Sequence, residues 1–339
     1  MKIKVGVNGY GTIGKRVAWA VMKQPDMELV GVVKRKPNWG VLSAVKKGIP
    51  IYTLEESIRD FERRGIDTEG TLDELLSKVD VIVDSTPGGI GKTYKEVYRK
   101  AGVRAIFQGG EKSDIAEVSF NSFVNYREAL RKQFVRVVSC NTTGLVRIIH
   151  SLSEAGTIRK IRGVIVRRGA DPKEIKKGPI DALILNPPKP PSHHAIDVKT
   201  VMGELDIITY AVVAPTTLAH LHYLLVEFKE PKNREEILKH ISNNSRVVMV
   251  NGDLLKSTVE VRELAKDMGR PNGDIYENVV WEDSIWVNNK EVMLAYAVHQ
   301  EAIVVPENID AIRAVTGVIE DPEESIKITN NTLGIKGWI

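Results

Sequence analysis

The sequence predicts an α/β protein with two domains, an N-terminal domain built on a parallel sheet and an α+β domain whose sheet is largely antiparallel. The chain has 339 residues, which is more than one small core accommodates. Its first half alternates apolar runs with amphipathic stretches, a pattern typical of βαβ units. After residue 140 the candidate strands become longer, and irregular proline-rich connections separate them, which favours an antiparallel sheet.

In the first half, apolar periodicity predicts each element in turn. The expected strands span residues 3–7, 29–33, 79–83, 103–107 and 135–138, and the expected helices span residues 12–23 and 94–101. The first helix ends before Pro25, which cannot continue it. The last of these strands leads directly into Ser139 and Cys140.

In the second half the pattern predicts strands and one closing helix. The expected strands span residues 161–167, 207–213, 221–228 and 292–297, and the helix spans residues 307–315 with Pro306 near its start. We expect this helix to return to the first domain. The predicted domains are therefore residues 1–139 plus 301–339, and residues 140–300.

The composition excludes several classes of protein. No apolar run approaches the roughly 18 residues of a membrane helix, and the N-terminus lacks the features of a secretion signal, so we expect a cytoplasmic protein without a membrane partner. The single cysteine excludes an intramolecular disulfide. The net charge is only +4, and the 6% aromatic residues are not interleaved with basic runs, which argues against nucleic acid as the primary partner.

The segment after the first strand carries the motif G-x-G-x-x-G at Gly9, Gly11 and Gly14. Gly9 permits the tight turn, Gly11 lets the backbone approach a pyrophosphate, and Gly14 allows close packing of helix on strand. The helix that begins at Thr12 and Ile13 presents unpaired N–H groups to the phosphates. Because the motif lies between a strand and a helix, it predicts a Rossmann-type dinucleotide-binding domain.

The end of the second strand indicates which dinucleotide binds. An enzyme that uses NAD usually has an acidic residue there, which accepts a hydrogen bond from the ribose 2′-OH. This chain has Lys34, Arg35 and Lys36 instead. A cation at this position attracts a 2′-phosphate, so we predict NADP as the preferred cofactor, or use of both NADP and NAD. The alternative is that these are exposed surface cations.

Cys140 lies where a strand gives way to a helix, among polar and hydroxyl-bearing neighbours. A thiol at a helix N-terminus has its thiolate stabilised by the helix dipole, so we expect its pKa to fall below the ordinary value of about 8.5. The sequence therefore predicts a cysteine nucleophile. The alternative is a small buried residue with a structural role.

The stretch S-C-N-T-T at residues 139–143 resembles the segment around the nucleophile of glyceraldehyde-3-phosphate dehydrogenases. The archaeal-type branch of that family is more similar still, over blocks that span nearly the whole chain. These blocks are NGYGTIGKRV (8–17), QGGEK (108–112), VRRGAD (166–171), PSHH (191–194), PTTL (215–218), HQE (299–301) and VPEN (305–308). The bacterial and eukaryotic branch usually has an acid after the second strand, where this chain has Lys34, so residue roles are transferred from the archaeal-type pattern alone.

The resemblance implies a histidine that accepts the proton of the nucleophile. His220 and His222 are the candidates, and because they lie two residues apart on a strand they point the same way, so spacing does not choose between them. The resemblance implies His220. It also implies contacts with the cofactor at Gly110 and Gln300. Arg168 is predicted as a further cofactor-binding residue, and beside Arg167 it could also bind the substrate or phosphate.

The groups available for the substrate and for phosphate are arginines, histidines, hydroxyls and an amide near the nucleophile. They are Ser139, Asn141, Thr142, Arg167, His193 and His194. Arginines offer bidentate contacts to phosphate oxygens. His193 and His194 are adjacent, and on an extended chain they would point to opposite faces. No H-x-x-x-H or C-x-x-C spacing accompanies them, so we predict no metal site.

The resemblance implies NAD(P)-dependent oxidation of D-glyceraldehyde 3-phosphate to 1,3-bisphosphoglycerate, with inorganic phosphate as the second substrate. Cys140 would form a thioester and His220 would act as the base. The resemblance also implies a homotetramer. Two alternatives remain open: a phosphorylating dehydrogenase for another aldehyde, such as aspartate semialdehyde, and a non-catalytic protein that binds nucleotide or RNA.

Overall fold

The computed structural model of the chain describes residues 2–170, 181–217 and 219–337. Its residues form two compact units. The first contains Met1–Ser139 and Val305–Leu333, and the second contains Cys140–Val304 together with the described residues after Leu333. Asp171 and Leu218, which belong to two of the sequence blocks above, lie outside the described residues.

The described residues form strands and helices with the following bounds. The strands are β1 (Ile3–Asn8), β2 (Met27–Val33), β3 (Ile51–Thr53), β4 (Gly70–Thr71), β5 (Val81–Asp84), β6 (Arg104–Gln108), β7 (Val118–Phe120), β8 (Phe134–Val137), β9 (Ile158–Arg168), β10 (Ile184–Leu185), β11 (Ile207–Ala214), β12 (His220–Phe228), β13 (Val247–Val250), β14 (Asn278–Trp281), β15 (Trp286–Asn288) and β16 (Glu291–Val298). The helices are α1 (Thr12–Lys23), α2 (Trp39–Lys46), α3 (Ile58–Glu62), α4 (Leu72–Leu76), α5 (Gly91–Lys100), α6 (Cys140–Ser153), α7 (His193–Met202), α8 (Arg234–Asn243), α9 (Thr258–Asp267), α10 (Val305–Thr316) and α11 (Pro322–Leu333). None of the described helices is both long enough and apolar enough to cross a membrane.

The first unit is built on a parallel sheet with the strand order β4-β3-β2-β1-β5-β6-β8-β7. The central strand β1 pairs in parallel with β2 on one side and with β5 on the other. The chain thus adds β2, β3 and β4 on one side of β1 and then adds β5 and the later strands on the other side. Ligands of open α/β sheets bind at such a switch point, beyond the carboxyl ends of the strands. The segment that follows β1 there is the glycine motif.

The second unit is built on a mixed sheet with the order β10-β11-β9-β12-β16-β14-β13, and β15 pairs with β16. Two of its pairs, β11–β9 and β13–β14, run parallel, whereas β12 is antiparallel to both β9 and β16. Alternate side chains of β12 are buried, because α6 covers one face of the sheet. The predicted α/β class, with a parallel-sheet domain and a second, largely antiparallel sheet, is confirmed.

Several predicted elements are confirmed within a few residues, and α1 has the predicted bounds. Helix α11 is one of the helices that were not predicted, and three of its five buried residues are polar. Contacts with α10 stabilise it. Arg313 donates a hydrogen bond of 2.6 Å to the hydroxyl of Thr329, and the hydroxyl of Ser325 donates one of 2.8 Å to Asp310.

The expectation of an extended chain at His193 and His194 was wrong. Both residues form the first turn of α7, so their rings lie side by side with centroids 3.9 Å apart. The peptide N–H of Ala195 bonds to the carbonyl of Ser192, which starts the helix immediately after the prolines. The two side chains still differ in environment, since His193 is exposed and His194 is buried.

Candidate active site

Cys140 is the first residue of α6 and follows β8 after a two-residue connection. Its side chain is partly exposed. The sulfur lies 3.5 Å from Nε2 of His220, which begins β12 and is 1% exposed. A thiol and an imidazole at this distance form the nucleophile–partner pair of covalent catalysis.

His220 is held on its other side by the main chain of β9. Its Nδ1 accepts a hydrogen bond of 3.0 Å from the backbone N–H of Arg168, the last residue of β9. Strands β9 and β12 pair antiparallel, with Leu221 opposite Val166, so the end of one strand meets the start of the other. The imidazole therefore bridges the backbone of β9 and the sulfur of Cys140.

His222 points to the same side of β12 as His220, as spacing predicts, but it contacts different groups. Its Nε2 lies 2.9 Å from Oδ1 of Asn141, and its Nδ1 lies 3.0 Å from the hydroxyl of Tyr296. The side chain is completely buried. Of the two candidates, His220 is thus the one whose ring contacts the nucleophile.

Asn141 connects His222 to a second buried histidine. Its Nδ2 lies 3.2 Å from Nε2 of His194, whose Nδ1 lies 2.9 Å from the hydroxyl of Ser192. That hydroxyl in turn lies 2.7 Å from the hydroxyl of Thr209. These hydrogen bonds form a buried chain, which we call the Asn141 chain; it runs Tyr296–His222–Asn141–His194–Ser192–Thr209. It holds the residue directly after the nucleophile to α7, β11, β12 and β16.

Both histidines of the Asn141 chain are held in the neutral form. Burial lowers the pKa of His222 to about 3. Burial also lowers the pKa of His194 to about 2, with further lowering from the charges of His193 and Arg167. A neutral imidazole has one donor and one acceptor nitrogen, which is the arrangement a hydrogen-bond chain requires.

The pKa of Cys140 differs from the prediction. Desolvation raises the pKa of the thiol to about 11, although the charges of Arg167 and Arg168 and the backbone N–H groups at the start of α6 lower it. The expected contribution of the helix N-terminus is therefore present but is outweighed. Desolvation depends on how strands and helices from elsewhere in the chain cover the sulfur, and the local sequence does not contain that information.

The predicted substrate-binding groups near the start of α6 differ in their burial and in their hydrogen bonds. Arg167, half-buried, donates a hydrogen bond of 2.7 Å to Oδ1 of Asn186, and Thr142 donates one of 2.8 Å to Asp197 of α7. His193 is exposed, and partial burial and the charge of Arg167 lower its pKa. Ser139 is half-buried. Both ring nitrogens of His194, in contrast, form hydrogen bonds of the Asn141 chain.

The glycine motif of the first unit has the geometry that a dinucleotide requires. Gly9 has φ +99°, and a Cβ there would lie 2.7 Å from the backbone of Ser85. A Cβ on Gly14 would lie 1.9 Å from the carbonyl oxygen of Gly9, whereas a Cβ on Gly11 would meet no atom within 4 Å. Gly11 is the N-cap of α1 and provides no side-chain hydrogen bond to the first turn of the helix. These residues fit a pyrophosphate.

The remaining predicted cofactor residues have varied environments. Lys34 directs its ammonium group to the glycine motif, where Nζ donates a hydrogen bond of 3.1 Å to the carbonyl of Tyr10. Gly110 packs closely on Gly88, because a Cβ there would lie 3.3 Å from Gly88 Cα. Arg168 is 8% exposed, and Gln300 is half-buried in the turn after β16.

Sequence reasoning missed two features of the site. The first is the Asn141 chain. Nothing in the sequence at residues 192–194 and 220–222 indicates which of these side chains form hydrogen bonds with one another. The second is Lys15, whose Nζ lies 3.7 Å from the ring centroid of Trp39 and 5.5 Å from that of Tyr10, beside the glycine motif. Lys15 belongs to the block of residues 8–17 and lies one helical turn after Gly11. This spacing could have indicated that its side chain lies near the glycine motif.

One group of side chains in the described part of the chain has metal-ligand donors in reach of one another. Donor atoms of Asp274, His299 and Glu301 all lie within 4.8 Å of each other, and the three residues are buried. This group is separate in sequence from the histidines considered above. The prediction of no metal site stays a prediction.

Comparisons with known proteins agree with the sequence blocks. Residues 139–284 match the family model described as glyceraldehyde 3-phosphate dehydrogenase, C-terminal domain, and residues 3–122 match that of dihydrodipicolinate reductase, N-terminus. The chain is similar to a solved aspartate semialdehyde dehydrogenase II from Vibrio cholerae, with a TM-score of 0.67, 11% identity, and coverage of 92% of this chain and 97% of that one. At this identity the likeness concerns the fold alone.

Curated relatives are much more similar over their full length. Proteins named glyceraldehyde-3-phosphate dehydrogenase are 56% identical in Hyperthermus butylicus, 54% in Metallosphaera sedula and 53% in Sulfurisphaera tokodaii. The alignments cover 99–100% of this chain and 99% of each relative. The resemblance predicted from the motifs is thereby confirmed: this chain belongs to the glyceraldehyde-3-phosphate dehydrogenase family.

Proposed function

We propose that the chain catalyses the NAD(P)-dependent, phosphorylating oxidation of D-glyceraldehyde 3-phosphate to 1,3-bisphosphoglycerate through a thioester on Cys140. The observation that carries this proposal is the contact of 3.5 Å between the Cys140 sulfur and Nε2 of His220 at the start of a helix. A thiolate attacks the aldehyde carbon and gives a tetrahedral adduct. The backbone N–H of Cys140 and the imidazole of His220 stabilise its oxyanion.

The second step requires phosphate near the thioester. Arg167 and His193 provide positive charge and donors beside the start of α6, and Ser139 and Thr142 add hydroxyls. Because guanidinium and phosphate pair in bidentate geometry, Arg167 is the first candidate for the phosphate ligand. His194 is a weaker candidate than the sequence suggested, since both of its ring nitrogens already have partners. Asn141 is likewise assigned to positioning rather than to direct contact with the substrate.

The cofactor of this reaction is a nicotinamide dinucleotide, which supplies the hydride acceptor when bound. Gly9, Gly11 and Gly14 with the N–H groups of Thr12 and Ile13 would hold its pyrophosphate. Gly110 and Gln300 are proposed contacts on the grounds of resemblance, and Arg168 is a further proposed contact. The proposed NAD(P)-binding domain is residues 1–139 plus 301–339, and the proposed catalytic domain is residues 140–300.

We further propose a preference for NADP over NAD. Lys34 supports this preference, because its ammonium group lies beside the glycine motif, where a 2′-phosphate would add negative charge. Lys34→Asp should weaken NADP binding far more than NAD binding. Lys239→Asp is the matched control, since it makes the same charge change at an exposed residue of the second unit. Equal losses for both cofactors in Lys34→Asp would contradict the proposal.

The activity test follows NADPH formation with D-glyceraldehyde 3-phosphate, with and without inorganic phosphate, in the wild type and in Cys140→Ser. We expect turnover that depends on phosphate and vanishes in the variant. Turnover that is indifferent to phosphate would indicate hydrolysis of the thioester instead. Preference for aspartate semialdehyde over glyceraldehyde 3-phosphate would overturn the assignment of the substrate.

We also propose that the chain forms a homotetramer in the cytoplasm. An exposed apolar row crosses the sheet of the second unit, where Tyr210 lies opposite Val164 and Val164 opposite Tyr223. These side chains are 44–53% exposed, and apolar rows of this kind usually pack against another protein surface. A free thiol persists in a reducing compartment, which supports the cytoplasm. Light scattering after gel filtration tests the tetramer, and a monomer at micromolar concentration would refute it.

A further inference from the structure

The carboxylate of Glu111 holds the start of α5 from another part of the first unit. Its Oε1 accepts hydrogen bonds of 2.7 Å from the backbone N–H of Gly89 and of 2.9 Å from that of Gly91, the first residue of α5. Ile90, the N-cap of α5, supplies no side-chain hydrogen bond. Glu111, in the segment that follows β6, therefore caps this helix in place of a neighbouring side chain.

The two segments that Glu111 joins pack backbone against backbone. A Cβ on Gly88 would lie 2.9 Å from the carbonyl oxygen of Gly110, and a Cβ on Gly110 would lie 3.3 Å from Cα of Gly88. Gly89 has φ +83°, a conformation that L side chains rarely adopt. Because the segments approach so closely, the hydrogen bonds of Glu111 connect them directly and hold Gly110 beside Gly88.

The main chain of Glu111 is itself held by the parallel sheet. Its N–H donates a hydrogen bond of 3.0 Å to the carbonyl of Gln108, the last residue of β6. Arg136 of β8, which is 2% exposed, donates one of 3.1 Å from Nη1 to the carbonyl of Glu111 and also bonds to the hydroxyl of Ser119. The sheet thus determines where the carboxylate lies.

These contacts lie at the edge of the sheet that carries the glycine motif. Strand β5 pairs in parallel with both β1 and β6, so the segments that follow these strands emerge at the same edge. A Cβ on Gly9 would lie 2.7 Å from the backbone of Ser85, the first residue after β5. Asp84 accepts hydrogen bonds from the N–H and the hydroxyl of Thr86. One carboxylate therefore holds the beginning of the β5–α5 connection, and Glu111 holds its end.

Helices α1 and α5 both begin at this edge, and they differ in charge. The described first turn of α1 contains no acidic residue, and Gly11 provides no side-chain hydrogen bond to it. A helix N-terminus attracts anions through its N–H groups and its dipole. At α5 the carboxylate of Glu111 already supplies the anion, whereas at α1 the pyrophosphate of a dinucleotide would supply it.

We infer that Glu111 is a positioning residue for the dinucleotide. Its carboxylate is an internal anion that neutralises the start of α5 and holds Gly110, a proposed cofactor contact, against Gly88. The pyrophosphate is thereby directed to the start of α1. The inference rests on the proposed function only in that a nicotinamide dinucleotide binds at the glycine motif, and it does not depend on the aldehyde, on inorganic phosphate or on Cys140.

The first test measures the binding of NADP and of NAD to the full-length chain by the fluorescence of the protein, without aldehyde or phosphate. Glu111→Ala should weaken the binding of both cofactors about tenfold or more, because two hydrogen bonds to a charged group are lost. Glu111→Gln keeps an acceptor oxygen without the charge, so its loss should be smaller, about threefold. Unchanged or tighter binding in Glu111→Ala would show that the carboxylate only repels the phosphates, and would overturn the inference.

Glu117→Ala is the matched control for this test. The carboxylate of Glu117 also accepts hydrogen bonds from two backbone N–H groups, those of Gln133 and Phe134, at 2.9 and 3.0 Å. Phe134 is the first residue of β8, so this contact lies at the amino end of the strand, away from the glycine motif. We expect Glu117→Ala to bind both cofactors like the wild type. A loss equal to that of Glu111→Ala would indicate a general effect on stability and would contradict the inference.

The second test asks whether formate replaces the missing carboxylate, which a purely structural role would not allow. In Glu111→Ala, formate can accept the hydrogen bonds of Gly89 and Gly91 in the space that the side chain leaves. We expect it to restore cofactor affinity about threefold or more in this variant and to have no effect on the wild type or on Glu117→Ala. Chloride at the same ionic strength is the salt control. The absence of rescue by formate would refute the role of an internal anion.

The third test needs no cofactor. Hydrogen exchange, followed by mass spectrometry of peptides from residues 85–100, reports the N–H groups of Gly89 and Gly91. Exchange in this segment should be about tenfold faster in Glu111→Ala than in the wild type, and formate should slow it again. Glu117→Ala should match the wild type here. Unchanged exchange in Glu111→Ala would refute the contact on which the inference depends.

The outcomes distinguish this inference from the proposed function. If the wild type binds neither NADP nor NAD, both fail. If the wild type binds a cofactor and Glu111→Ala binds it equally well, the inference alone fails. If the cofactor binds and formate rescues Glu111→Ala, but no phosphate-dependent oxidation of the aldehyde occurs, the inference stands and the proposed reaction fails.

Discussion

The glycine motif allows a sharp test, because Gly14 and Gly11 differ in what an added methyl group would meet. A Cβ on Gly14 would lie 1.9 Å from the carbonyl oxygen of Gly9 and 3.0 Å from its carbonyl carbon. Both atoms are backbone, so the turn itself must open to admit the methyl group. A Cβ on Gly11 would meet nothing within 4 Å, and the backbone there is extended, at φ −98°.

The magnitudes predict opposite phenotypes for the two variants. Overpacking typically costs about 1–3 kcal/mol, and contact with rigid backbone places Gly14→Ala at the upper end. The better helix propensity of alanine offsets about 1 kcal/mol of this. The net loss of about 2 kcal/mol should lower the Tm by roughly 4–8 °C for a domain of 150–250 residues. Gly11→Ala should change the free energy of unfolding by less than about 0.5 kcal/mol.

The assay measures thermal unfolding by circular dichroism at one fixed protein concentration, and NADP binding by the fluorescence of the protein. We expect Gly11→Ala to retain the wild-type Tm and to bind NADP at least about tenfold more weakly, since its methyl group would occupy the space a pyrophosphate approaches. We expect Gly14→Ala to lose stability as well as binding. A Gly11→Ala variant with wild-type affinity would refute the claim that a pyrophosphate approaches Gly11. A Gly14→Ala variant with wild-type Tm would refute the claim that Gly14 packs too closely on Gly9 to admit a methyl group.

Two further predictions concern the environment of the nucleophile. Because the pKa of Cys140 is about 11, its alkylation rate should rise about tenfold per pH unit from pH 7 to pH 10, and a plateau near pH 8.5 would contradict the dominant effect of desolvation. Tyr296→Phe removes the hydroxyl beside Nδ1 of His222 and leaves a buried acceptor without its partner, so urea unfolding should show a loss of about 1–3 kcal/mol. Tyr94→Phe, at a half-buried tyrosine, is the control, and an equal loss in both would remove the Asn141 chain as the cause.

The extent to which sequence predicted the structure differs between local and long-range features. The bounds of α1 and the position of Cys140 at a strand-to-helix junction followed from residues adjacent in the chain. Helix α11 was missed because three of its five buried residues are polar, and contacts with Arg313 and Asp310 of α10 stabilise it. The assumption of an extended chain at His193 failed because two prolines precede a helix start there, and proline patterns fit both a loop and a helix N-terminus.

The sequence by itself determined the order of the two domains, the glycine motif with its strand and helix, the single thiol, and the family. Each of these depends on residue identity, on the spacing of neighbours along the chain, or on blocks shared with relatives. Only the tertiary structure decided which of two equivalent histidines contacts the sulfur, because β12 presents both to the same side and the start of α6 lies against one of them. It also decided the direction of the pKa shift of Cys140 and which backbone group contacts Nδ1 of His220. Desolvation and hydrogen bonds from another strand set these properties, and both arise from residues far apart in the chain.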